Sequence, residues 1–238
     1  YVLIGKFNTV YGGVGNIPIE VAVVSNVKDL DINPYLERTE SAIEQYVEIF
    51  GGAPFERYVL TIINLKGERH VHLGGFGKPG GALVVCQVIW TIGPTSSAQN
   101  LIGHEIFHSW NGLGNGGALG PKEFDLFDFQ SYFECPSIWF VEGFTVYYEE
   151  LTSVKSGYCT ETNFYQAIAS SWNCYDSSQT PFATGSLDFS DPSVFKSRYC
   201  ADLIAFLLDL KIRDLTDNER SLDDVMRAMY EKYGGKEE

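Results

Sequence analysis

TSSAQNLIGHEIFHSWN, residues 95–111, reads as a helix carrying two histidines, His104 and His108, four positions apart. That spacing puts both imidazoles on one helical face, where they can be aimed at a single ion. Glu105 stands one step round the helix, within reach of a water on that ion without being a ligand itself. The chain has only four histidines, and two of them fall in this pattern.

The chemistry wants a third protein ligand. A catalytic zinc takes three protein donors and keeps one position open; it lowers the pKa of a bound water toward about 7, so that a neighbouring carboxylate can take the proton. No histidine follows His108, so the third ligand has to come from elsewhere. Residues 139–150, WFVEGFTVYYEE, read as a second, largely buried helix with Glu142 among Trp139, Phe140, Phe144 and Tyr147. A carboxylate on a buried aromatic helix needs a counter-charge. Between residues 99 and 151 the only Lys or Arg is Lys122, against eight acidic residues. One zinc ion held by His104, His108 and Glu142 is the expected solution, with Glu105 as general base. Glu149, two turns beyond Glu142 on the same face, is the expected acceptor for the outer N–H of a zinc-bound histidine.

Outward from this centre the chain divides by pattern. Residues 17–26, 57–64 and 82–92 read as strands from their β-branched, apolar runs, and GGFGKPGG (74–81) reads as a Gly-rich loop between the last two. Pro34 opens a helix that runs to about Phe50, where Gly51-Gly52 stops it. Further helices are expected at 95–111, 136–152, 160–172 and 193–213, with residues 112–121 as a Gly-rich connector. A last helix is opened by Ser221, with Asp223 and Asp224 in its first turn, and ends near Gly234. The expectation is one α+β domain over 1–238, β-rich over about 1–94 and helical over about 95–238. His70 and His72 alternate on one face of a strand or its end and read as exposed polar positions.

Charge narrows the partners. Seventeen basic against 31 acidic residues leave a net charge of −14, with no Lys/Arg stripe, which speaks against nucleic acid. No run reaches the roughly 18 consecutive apolar residues of a membrane span. Sparse lysine, abundant tyrosine and an expected Cys159–Cys174 disulfide predict a protein that works outside the cytoplasm. Buried free thiols in a cytoplasmic enzyme are the alternative.

The pairing of HEIFHSWN with SIWFVEGFTVYYEEL resembles the glycyl aminopeptidase family of gluzincins, relatives of the leukotriene-hydrolase and alanyl-aminopeptidase group. FGGAPFERYVL (50–60), YCADLIAFLLDLKIRD (199–214) and SLDDVMRAMYEKYG (221–234) extend the likeness along the chain. The resemblance implies the catalytic domain alone: a thermolysin-like zincin with a β-rich and a helical lobe flanking a zinc cleft. It implies peptide or protein substrates hydrolysed by a zinc-activated water, in the manner of an aminopeptidase. It also implies that Tyr199 hydrogen-bonds the tetrahedral oxyanion, and that the backbone of Gly74, Gly75, Phe76 and Gly77 pairs with substrate. The sequence departs from the family at that last segment. Relatives carry an acid there that can hold a free amine, whereas residues 73–82 contain none and place Lys78 in its stead. The acids of the connector, Glu123, Asp125, Asp128 and Glu134, are left as candidate amine acceptors. An endopeptidase with an open cleft, and a zinc hydrolase of a non-peptide bond, remain as alternatives.

Overall fold

In strand β3 (Tyr58–Asn64) every second residue is buried. β3 lies between β2 (Ile17–Ser25) and β5 (Gly81–Cys86), parallel to both, while β1 (Asn8–Val14) and β4 (Gly74–Lys78) close the two edges antiparallel. The sheet order is β1-β2-β3-β5-β4. The register pairs Val21 with Leu60 and Leu60 with Ala82, then Val23 with Ile62 and Ile62 with Val84. All of these are buried, so one face of the sheet is a continuous apolar floor. The computed structural model describes residues 5–64, 74–86, 97–112, 119, 137–177 and 200–234.

Six helices are present among the described residues: α1 (Asn33–Phe50), α2 (Ser97–Phe107), α3 (Ile138–Lys155), α4 (Glu161–Ser177), α5 (Asp202–Leu215) and α6 (Leu222–Tyr233). Helix α1 has Pro34 in its first turn and ends on Gly51, whose φ of 78° is left-handed and whose N–H bonds the Val47 carbonyl. Helix α6 starts on a reciprocal capping box between Ser221 and Asp224. None of these helices is long and apolar enough to cross a membrane.

An aromatic cluster joins the elements. Phe50 stacks on Trp110 at 5.5 Å, Phe107 stacks on Tyr148 at 4.9 Å, and Tyr46 meets both Phe107 and Trp110 edge-on. Trp110 Nε1 donates to the Gly52 carbonyl at 2.8 Å, which keeps its polar edge satisfied inside the core. On its far side α3 is tied down by two phenols, Tyr147 donating to Asp209 of α5 and Tyr148 to Asp223 of α6, both at 2.9 Å. Asp209 also accepts from the Leu222 N–H at 2.7 Å, so one buried carboxylate joins three helices.

Two sequence expectations are corrected, the loop and the cysteine pairing, and one strand that the sequence reading did not name is added. First, the segment expected as a Gly-rich loop at 74–81 is strand β4, a Pro79-Gly80 turn with Gly80 at φ 80°, and the start of β5. Glycine is poor strand material, but here close packing requires it: a Cβ on Gly77 would overlap the main-chain oxygen of Glu105, and one on Gly75 its side chain. Second, NTVYGGV gives little strand signal, having two glycines and an exposed outer face, yet it forms edge strand β1. Third, Cys174 pairs with Cys200, at a Cα–Cα distance of 6.4 Å, while Cys159 is a free thiol. Helix α4 explains this, since its roughly 1.5 Å rise per residue holds Cys159, before its first turn, about 20 Å from Cys174 in its last.

Candidate metal centre

Helix α2 presents His104 within its last turn, and His108 follows just beyond, held in helical register by its N–H to the His104 carbonyl at 3.3 Å. Helix α3 crosses them and presents Glu142. All three side chains are buried. His104 Nε2 lies 3.1 Å from His108 Nε2 and 3.3 Å from Glu142 Oε2, and His108 Nε2 lies 3.9 Å from Glu142 Oε1. Tetrahedral zinc with bonds of about 2.1 Å holds its ligand atoms about 3.4 Å apart. The observed separations bracket that value, so these residues fit the ion by geometry as well as by donor type. They are the one such cluster among the described residues.

The outer ring nitrogens are also engaged. His104 Nδ1 is 2.9 Å from Glu149 Oε2, and His108 Nδ1 donates to the Asn111 carbonyl at 3.0 Å. With each Nδ1 committed to an acceptor, each Nε2 turns inward as the lone-pair donor a cation needs. Asn111 in turn donates through Nδ2 to the Phe140 and Val141 carbonyls, at 3.2 and 3.1 Å, fastening the end of the histidine segment to the first turn of α3. The sequence reading missed Asn111. A main-chain acceptor leaves no trace in composition, and the only sign was its place at the end of HSWN.

The electrostatics call for positive charge. Burial works to lower the pKa of His104, but hydrogen bonds to Glu142 and Glu149 and the charge of Glu105 prevail and push it up to about 10. Glu150, beside Glu149, is pushed up to about 7 by burial and by its neighbour's charge.

Glu105 is buried, and its carboxyl lies directly beneath Gly75 of β4. Glu105 is thus next in sequence to His104 and packed against β4. Gly74, Gly75, Phe76 and Gly77 belong to that strand, which pairs antiparallel with β5. Gly143, next to Glu142, touches Ala201; a Cβ there would clash with the Ala201 backbone, so the chain entering α5 runs against the ligand helix. Tyr199 lies two residues earlier, outside the described residues, as do His70, His72 and the connector acids Glu123, Asp125, Asp128 and Glu134.

The M61 glycyl aminopeptidase family model matches residues 97–194. No curated protein sequence matches the chain significantly. Among solved structures, an aminopeptidase N family protein from Idiomarina loihiensis superposes with a TM-score of 0.78 at 19% identity, covering 97% of this chain and 41% of that one. An M1 zinc metallopeptidase from Deinococcus radiodurans gives 0.59 at 15% identity, covering 97% and 45%. Yeast LTA4 hydrolase in complex with bestatin gives 0.54 at 16% identity, covering 97% and 34%. The chain therefore spans less than half the length of these structures, and shares its α+β fold with the part of each that it matches.

Proposed function

We propose that this domain is a zinc-dependent peptidase of aminopeptidase type, with His104, His108 and Glu142 holding one zinc ion. The observation that carries the reading is the convergence of two imidazole nitrogens and a carboxylate oxygen at zinc-ligand separations, all buried, on two crossing helices. Bound there, zinc would acidify a water and polarise a substrate carbonyl. Glu105, buried beside the ligands, takes the water's proton and hands it to the leaving amine. Strand β4 supplies main-chain hydrogen bonds that lay an extended peptide across the site. Tyr199, by family likeness, donates its phenol O–H to the oxyanion.

Aminopeptidase action is favoured by the family match and by the acidic segment that bears both helices, which attracts a free amine. The endopeptidase reading draws on β4 itself, GGFGK, which offers no carboxylate to grip an amine at a fixed distance from the metal. A comparison of one short peptide with its N-acetylated twin, with and without a zinc chelator, separates the two. The expected outcome is chelator-sensitive cleavage of the free peptide and at least tenfold slower cleavage of the acetylated one. Equal cleavage of both would transfer the assignment to an endopeptidase, and cleavage unaffected by the chelator would remove zinc from the account. The Cys174–Cys200 cross-link supports a place of work in an oxidising compartment, outside the cytoplasm.

A further inference from the structure

We propose that Arg38 and Tyr46 of helix α1 are positioning residues that clamp the two ligand-bearing helices, α2 and α3, in the axial register the metal centre needs. The inference rests on the zinc reading above and adds residues that lie outside the site. Arg38 and Tyr46 are eight residues apart, just over two turns, and so share a face of α1. Both are wholly buried, and each makes one bond to α2 and one to α3. Arg38 Nε donates to the Gln99 carbonyl at 3.0 Å and Nη2 donates to Ser153 Oγ at 2.9 Å. Tyr46 Oη donates to the Gly103 carbonyl at 3.0 Å and shares a 3.1 Å hydrogen bond with Thr152 Oγ1.

The two tips converge on Gly103, the residue immediately before His104. A Cβ there would overlap Arg38 Nη2 and come within 3.5 Å of the Tyr46 hydroxyl. On α3 the anchors Thr152 and Ser153 lie one turn beyond Glu149, which holds His104 by its outer nitrogen, Nδ1. The clamp thus sits behind α2 and the ligands sit in front of it. A slip of one residue, about 1.5 Å along either axis, would carry a ligand atom out of the tetrahedral shell.

A guanidinium is an expensive way to fill a helix interface, since burying its charge is unfavourable and an apolar side chain of similar volume packs as well. Its return is direction: a planar fork reads the relative position of a carbonyl and a hydroxyl, which an apolar contact cannot do. Register-setting is the best-attested use of such buried polar groups.

The test measures zinc affinity by chelator competition on the full chain, alongside thermal stability. Tyr46→Phe removes only a hydroxyl and Arg38→Lys keeps a charge but loses the fork; each is expected to weaken zinc by about tenfold or more, within the range typical of groups that orient metal ligands. Ile62→Val in the sheet core is the control, expected to lower stability and leave zinc affinity within twofold. Zinc affinity unchanged in both clamp variants, or falling only as much as in a control of equal stability loss, overturns the clamp while leaving the zinc reading in place. A wild-type chain that binds no zinc overturns both.

Discussion

Glu105→Gln is expected to cut turnover by about 10³–10⁴ while leaving fold and zinc content unchanged, at the upper end of what general acid–base catalysis contributes. The side chain is buried with its carboxyl under Gly75, and glutamine matches it in volume, so packing survives. Glu105 lies outside the set of donors that meet at the metal position, so zinc is retained. What goes is a proton acceptor, since an amide cannot take the proton of an attacking water. Steady-state kinetics with metal analysis on the same preparation check this, and near-wild-type turnover would mean that another group is the base. Tyr199→Phe provides the graded comparison, expected to cost about 10²–10³ in turnover, the penalty for losing one oxyanion donor. An unaffected rate would return Tyr199 to a packing role.

Zinc removal is the second large effect. A ligand that binds only the folded state stabilises it by about 4 kcal/mol when present at a thousand times its dissociation constant. In a domain of this size each kcal/mol moves Tm by about 2–4 °C, so chelation should lower Tm by roughly 8–16 °C, and zinc should restore it. Glu142→Gln should abolish that zinc-dependent shift, because the variant keeps the shape of the side chain and loses the charge that makes it a ligand. Calorimetry with and without zinc reads both. An undiminished shift in Glu142→Gln would place the bound metal elsewhere.

The candidate metal centre was legible because its signals are local. His104 and His108 declare themselves by helical spacing. Glu142 declares itself as a lone carboxylate inside an aromatic helix, and Glu149 by lying two turns further along the same face; the structure brings it to 2.9 Å from His104. What the sequence concealed was long-range. Counting bases between residues 99 and 151 found only Lys122, yet Arg38, 61 positions before Gln99, lies buried behind α2 and interacts with the charges of Glu149 and Glu150. Its position in α1, three residues after buried Tyr35 and four before buried Ala42, was the available sign that it faces inward.

Strand β4 was concealed by its glycines. Their turn-forming tendency dominates the reading of GGFGK, whereas in the fold Gly75 and Gly77 are what lets the strand lie on Glu105. The cysteine pairing failed for a related reason. Cys159 and Cys174 are close in sequence, but the intervening residues form continuous helix, and the partner that reaches Cys174 is Cys200 at the entrance to α5.

Zinc K-edge X-ray absorption on the purified, zinc-loaded chain is the most direct test of the proposed centre. The expected spectrum has a first shell of nitrogen and oxygen at about 2.0–2.2 Å, with the outer scattering of two imidazoles, one of which vanishes in His108→Ala. A shell containing sulfur at about 2.3 Å, or one without imidazole scattering, would contradict the assignment of His104, His108 and Glu142 as the ligands.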